Sequence, residues 1–190
     1  MANISIIGTG NMGQAIAAVA GRGGHTVHLL GRGDLGTDLG DVVVLAVPYA
    51  AVTDVTAAVG QRLAGKVVVD ITNPVNFETF DGLTVAADSS AAAEIAAALP
   101  DAKVLKAFNT NFASTLAGGT VGDLPTTVLI AGDDADAKSE LAAAISAGGV
   151  DAIDAGSLSR ARELEAVGFL QLTLAASEKV GWTGGFGIVR

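Results

Sequence analysis

Apolar residues along this chain fall into short runs that stop at turn residues, separated by stretches with helical spacing. ISII (4–7), HTVHLL (25–30), VVVLAV (42–47), VVVDI (67–71), KVLKAF (103–108), TTVLIAG (126–132) and VDAID (150–154) read as strands. Most are apolar without alternation, which suits strands buried on both faces of a parallel sheet. Helices are predicted over 12–20 and 52–63, over AAAEIAAAL with Ser89 and Ser90 as caps, and briefly within NTNFASTLAGG. Two more follow: DDADAKSELAAAISAGG, with acids in its first turn, and a long last helix over about 158–180, capped by Ser157. VNFETFDGLTV is an irregular excursion.

Strands alternating with helices predict an α/β protein with a Rossmann-like, doubly wound, mainly parallel sheet. Residues 1–120 form the dinucleotide-binding part, and 121–190 a small C-terminal α/β extension packed on it and ending in the long helix. Only RGDLGTDLGD separates the second and third strands, too little for a crossover helix. The β2–β3 connection is therefore shortened, and the chain passes directly from one side of the first strand to the other.

Gly8, Gly10 and Gly13 give G-x-G-x-x-G between the first strand and the first helix. Gly8 permits the tight turn, Gly10 lets a pyrophosphate approach the backbone, and Gly13 lets the helix pack close. Thr9, Asn11 and Met12 complete a loop whose amides and helix dipole favour an anion. The second strand should then end on an acid that holds a ribose 2′-OH. It ends instead on Gly31-Arg32-Gly33. A guanidinium there grips a 2′-phosphate, and the amides of Gly31 and Gly33 face the same group, so the expected cofactor is NADP(H). Asp34 is the neighbour that would relax this preference if its carboxylate swung back to a ribose.

Three later strand ends converge on the nicotinamide position: Ala46-Val47-Pro48-Tyr49, Thr72-Asn73-Pro74, and Phe108-Asn109 with Thr110 and Asn111. Asn and Pro also serve as ordinary turn residues, and that simpler reading stays open for each. No acid–base pair is apparent there, and Lys103 and Lys106 merely flank or enter the fifth strand, so no catalytic residue is assigned. Reduction of a carbonyl needs a proton donor, whereas hydride exchange between two cofactor rings mainly needs them stacked and dry.

Composition narrows the partners. The 190 residues carry a net charge of −9 with no basic run, which argues against nucleic acid. There are no cysteines, so disulfides and thiolate chemistry are excluded. His25 and His28, three apart in a strand, face opposite ways and do not suit a shared metal. The stretch 166–176 is apolar nearly all round yet too short to cross a bilayer, which predicts a buried helix or a homodimer contact. With no basic leader, the expectation is a soluble cytoplasmic protein.

Six segments together, IGTGNMG, the Arg32 corner, LAVPYAAV, DITNPVN, VLKAFNT and DAGSLSRARELE, resemble the coenzyme F420-dependent NADP oxidoreductases, and also the related STEAP-type reductase domain. The resemblance covers nearly the whole chain. It implies hydride transfer between NADPH and a deazaflavin (F420) or flavin-type acceptor. It implies NADP contacts at Thr9, Arg32, Val47, Pro48 and Asn73, with the deazaflavin packed near Asn109 and the C-terminal part. The chain departs from that pattern in the shortened segment after Arg32, which brings no second cation, and in having Asn109 and Asn111 where a histidine is expected. Two other readings remain open. IGTGNMG also resembles pyrroline-carboxylate reductases, hence a small imine or hydroxy-acid reductase. A non-catalytic NADP(H) sensor is the second. In the last helix, Arg160 and Arg162 either pair with Glu163 or Glu165 or meet an anionic ligand, and Trp182 and Phe186 either pack on the core or cover a flat ring.

Overall fold

The computed structural model describes residues 1–189. The elements follow as β1 (Asn3–Ile7), α1 (Asn11–Arg22), β2 (Thr26–Leu30), β3 (Val42–Leu45), α2 (Val52–Val59), β4 (Val67–Asp70), α3 (Ala91–Ala98), β5 (Lys103–Lys106), α4 (Ala113–Gly118), β6 (Thr120–Val121), β7 (Leu124–Pro125), β8 (Thr127–Gly132), α5 (Ala135–Ala147), β9 (Asp151–Gly156) and α6 (Ala161–Ala176). Seven strands form one sheet in the order β2-β1-β3-β4-β5-β8-β9, and β6 with β7 makes a separate small hairpin. β1 to β5 are all parallel, β8 is antiparallel to β5, and β9 is parallel to β8. The sheet thus runs unbroken across residue 120.

Val42–Leu45 is buried along its whole length, and its side chains alternate between two cores. Val42 and Val44 join Ile4, Ile16, Val19 and Leu141 on one face. Val43 and Leu45 join Val55, Val59, Ile95 and Leu99 on the other. Helices therefore cover both faces, as the uninterrupted apolar runs require. The short β2–β3 connection carries the chain from β2 across β1 to β3, since β1 pairs with both. It arrives through a close approach at Gly40, where a Cβ would lie 2.2 Å from the Asn3 carbonyl oxygen.

Three helix expectations change. The second helix is α-helical only to Val59, and residues 60–63 tighten to a 3-10 turn. The last helix does not begin at Leu158, and Ser157 does not cap it. Leu158–Arg160 is a 3-10 turn with no side-chain cap, its first N–H donating to Asp133 Oδ1 at 3.0 Å. The same helix stops at Ala176, short of Val180, because Glu178 takes a left-handed φ of 59°. That reversal lets the Lys179 N–H donate to the Leu174 carbonyl at 2.9 Å, closing the terminus. Of the two serines before α3, Ser90 is the cap, accepting from the Ala93 N–H at 3.0 Å.

Candidate functional site

The carboxyl ends of β1 to β5 lie along one edge of the sheet, because these strands are parallel and in register. At the end of β1, Gly8 has φ 127°, and a Cβ on it would stand 2.0 Å from the Ala46 carbonyl oxygen. The loop is pinned on both sides: the Gly8 N–H donates to the Leu30 carbonyl at 2.9 Å, and the Ala46 N–H to the Ile7 carbonyl at 2.8 Å. A Cβ on Gly13 would stand 2.1 Å from the Gly8 carbonyl oxygen, so α1 packs directly on the loop. Gly10 differs from both: nothing lies within 4 Å of the position its Cβ would take. It precedes α1, whose start has no side-chain cap and no acid in its first turn. The leading amides, those of Asn11 and Met12 among them, are left to an external acceptor.

Beside this loop is the corner at the end of β2. The Arg32 side chain is exposed and, among the described residues, makes no hydrogen bond or ion pair. Gly33 is exposed as well. The expected role of the Gly31 amide is corrected: its N–H is not open to a phosphate, because it donates to Asp34 Oδ2 at 2.8 Å. The 3-10 turn over Arg32–Asp34 produces that contact by placing Asp34 three residues after Gly31.

The further strand ends supply different surfaces. Pro48 is exposed and Val47 half-buried after β3. The Tyr49 hydroxyl donates to Glu94 on α3, and burial together with that contact raises its pKa far above the ordinary tyrosine value. Pro74 is buried, its carbonyl accepting from the Thr84 N–H at 2.7 Å. Asn73 and Asn109 lock together: Asn73 Nδ2 donates to the Asn109 carbonyl at 2.8 Å, and Asn109 Nδ2 donates to Asn73 Oδ1 at 2.9 Å and to the Leu164 carbonyl at 2.8 Å. Gly168 of α6 sits against this pair, a Cβ there falling 2.3 Å from Asn73 Oδ1.

A cavity of about 420 Å³ opens here, lined by Asn11, Met12, Asn73, Asn109, Phe112 and Trp182 among others. No Asp, Glu, His, Lys, Arg or Tyr is among the described residues lining it. Asn109 Oδ1 and Asn111 Oδ1 are buried without a partner, two unsatisfied acceptors that lie behind the cavity surface. Phe108, also in the wall, holds a left-handed φ of 63° while almost fully buried, a strained backbone of the kind found at ligand sites. Trp182 is 55% exposed and leans on Phe112 with ring centroids 5.1 Å apart. Thus Asn11, Met12, Asn73 and Asn109 share one cavity, whereas Arg32 and Gly33 lie beyond Thr9 at the far end of the same edge. Of the two arginines near α6, Arg160 and Arg162 both pair with Glu163, at 3.7 and 3.1 Å.

Glu165 is not their partner. It belongs to a buried group that the sequence reading missed. Lys106 Nζ lies 2.7 Å from Asp70 Oδ2 and 2.8 Å from Glu165 Oε1, and also donates to the Thr72 carbonyl at 2.5 Å. All three side chains are fully buried. Asp70 and Lys106 are register partners on β4 and β5. Glu165 also accepts from the Ala91 and Ala92 N–H groups at the start of α3. Burial raises its pKa despite the nearby ammonium. The available signal was a lysine and an aspartate at the ends of adjacent, otherwise apolar strands. Neither histidine joins a site: His25 Nδ1 accepts from the Ala2 N–H at 3.0 Å, and His28 is exposed. Among the described residues no group of His, Asp and Glu is arranged to hold a metal.

A glycine loop leading into an uncapped helix, on the carboxyl edge of a doubly wound sheet, defines a Rossmann-type dinucleotide-binding protein. The family model described as NADP oxidoreductase coenzyme F420-dependent matches residues 37–74. Over 151 residues the chain is 32% identical to the F420-dependent NADP reductase of Methanocaldococcus jannaschii, an overlap of 76% of this chain and 66% of that protein. Over 110 residues it is 36% identical to metalloreductase STEAP3 of Rattus norvegicus, 58% of this chain and 21% of that protein. The crystal structure of a candidate F420-dependent NADP reductase from Arthrobacter sp. FB24 superposes with a TM-score of 0.84 at 28% identity, each chain covered in full. The chain belongs to the F420-dependent NADP reductase family. It spans only 66% and 21% of the lengths of the two curated relatives named here.

Proposed function

We propose that this protein is an NADP(H)-dependent oxidoreductase that passes hydride between the nicotinamide and a planar deazaflavin (F420) or flavin-type acceptor. The residues fit the nucleotide. Open space over Gly10 and the free amides of α1 suit a pyrophosphate, and the exposed Arg32 at the end of β2 suits a 2′-phosphate. Cofactor contacts at Gly8, Thr9, Gly33, Ala46, Val47, Pro48, Tyr49, Asn73, Pro74 and Asn109 are part of the same reading, which their place along that edge supports. When bound, NADP(H) supplies the hydride. The chain's own residues hold and orient: the Asn73–Asn109 pair, hydrogen-bonded across the ends of β4 and β5, stiffens one part of the cavity lining.

The observation that carries the reading is the cavity wall, which is amide and aromatic and has no ionisable side chain among its described residues. Such a wall can stack two rings and exclude water, but it offers no proton donor to a carbonyl or imine. Stopped-flow mixing of NADPH-loaded protein with F420, FMN or a ferric chelate tests it. Oxidation at roughly 1–1,000 s⁻¹ with the planar acceptors is expected. Oxidation by none of them leaves the sensor reading. For the nucleotide, Arg32→Ala should weaken NADPH by about 1.5–3 kcal/mol, the worth of a charge-assisted contact, and leave NADH nearly unchanged. Equal loss for both would count against the corner.

Among the described residues no helix is long and apolar enough to cross a membrane. We read the protein further as a cytoplasmic homodimer that does not bind nucleic acid. The net charge of −9 supports the last point, and the exposed Val167 and Leu170 on the outer face of α6 support self-association.

A further inference from the structure

We propose that Asp34 sets coenzyme preference by opposing Arg32, so that the corner at the end of β2 accepts NADH as well as NADPH. The inference rests on the nucleotide reading above. Two signatures that normally exclude each other meet in this corner. A cation at the end of β2 favours a 2′-phosphate, and a carboxylate in the same place favours a ribose 2′-OH. Here Arg32 supplies the first directly from the chain, and the turn that follows returns Asp34 to supply the second.

The geometry places the carboxylate where the ribose end must pass. Asp34 Oδ2 accepts from the Gly31 N–H at 2.8 Å. A Cβ built on Gly31 would be 3.4 Å from that same oxygen and 4.0 Å from Thr9 Cγ2 of the phosphate loop. The carboxylate and the loop therefore flank one backbone position. Oδ1 has no partner among the described residues, which leaves an acceptor for a 2′-OH. Arg32 and Asp34 form no ion pair with each other, so neither charge cancels the other by contact.

The loop holds Asp34 in place. Its carbonyl accepts from the Thr37 N–H at 3.0 Å and from Thr37 Oγ1 at 2.8 Å. Arg62 reaches over from the turn after α2 and donates to the Thr37 carbonyl at 2.7 Å and to the Leu35 carbonyl. With the backbone pinned on both sides, only the Asp34 side chain can respond to the ligand. A 2′-phosphate gains Arg32 but must face the Asp34 carboxylate or turn it off Gly31. A 2′-hydroxyl meets an acceptor already in position.

Calorimetric titration of the full-length protein with NADPH, NADH and 2′,5′-ADP tests this on wild type, Asp34→Asn and Asp34→Ser. Both variants keep an acceptor for the Gly31 N–H and remove the charge. Each should bind NADPH and 2′,5′-ADP about tenfold tighter and NADH no tighter than wild type, because a like charge next to the phosphate is gone. An NADPH-to-NADH ratio unchanged in both variants overturns the proposal. So does a parallel loss of both affinities, which would make Asp34 only a builder of the turn. A wild-type protein that binds neither nucleotide overturns this inference together with the reading beneath it. If wild type binds both and only Arg32→Ala moves the ratio, Asp34 alone is refuted.

Discussion

Lys106→Met will cost the fold about 3–5 kcal/mol, the loss typical when one partner of a buried ion pair is removed. The ammonium is the single cation among the three fully buried side chains and touches both carboxylates. Without it, Asp70 keeps only the Thr72 N–H at 2.8 Å, and Glu165 keeps the Ala91 and Ala92 N–H groups. Two negative charges would then share a dry space between β4, β5 and α6. For a chain of this size the melting temperature should drop by roughly 10–15 °C. The deficit should also depend on pH. Burial already holds the Glu165 carboxyl above its usual range, and losing Lys106 raises it further. An acid whose folded pKa is raised gives its full stability below its unfolded pKa and loses it as pH rises through the folded value. The variant should therefore lag wild type least in acid and most near neutrality. Adding Asp70→Asn to Lys106→Met should recover part of the loss, since one uncompensated charge disappears. Urea unfolding of the three proteins at two pH values measures all of this. A loss below about 1 kcal/mol at neutral pH would show that the group is wet or already neutral.

That triad also marks the limit of what the sequence displays. Lys106 meets Asp70 across 36 residues and Glu165 across 59, and no local pattern encodes either meeting. Only the unlikely composition of the strand ends hinted at it. Local signals fared better. The apolar run, the glycine spacing and the helix that follows placed the glycine loop, because Gly8 and Gly13 each answer to a contact within one turn or one neighbouring strand. The shortened β2–β3 connection was legible from length alone, since ten residues cannot hold a crossover helix. The overrun of the last helix has a conformational cause: residues 177–180 continue a helical composition, and nothing in them announces the left-handed Glu178. The Gly31 amide was misjudged for a similar reason. A glycine looks open in sequence, and its occupation by Asp34 depends on a single 3-10 turn. Trp182 was named as a cover for a flat ring or a core residue. Its ring stands against Phe112 at the cavity mouth because the chain reverses after α6.

Two glycines of the same motif should respond to alanine in opposite ways, and the contrast separates folding from binding. Gly8→Ala places a methyl 2.0 Å from the Ala46 carbonyl oxygen, and that neighbour is backbone held by its own hydrogen bond to β1. The position also has φ 127°, which an L side chain rarely adopts. Overpacking and backbone strain together should cost about 3 kcal/mol or more, with nucleotide affinity falling as a consequence of the displaced loop. Gly10→Ala meets neither obstacle. Its φ of −73° and ψ of −177° suit alanine, and no atom lies within 4 Å of the new methyl. Stability should stay within about 1 kcal/mol of wild type and could rise, because alanine restricts the unfolded chain. Binding is a different matter. The space over Gly10 is vacant at the uncapped start of α1, and a methyl there would keep a pyrophosphate from the backbone. NADPH affinity should fall roughly 100-fold, the equivalent of about 2.7 kcal/mol. Thermal unfolding paired with NADPH titration of both variants reads the two effects independently. If Gly10→Ala folds like wild type and also binds NADPH like wild type, the dinucleotide does not cross this loop. The edge of the sheet would then be a scaffold for some other ligand.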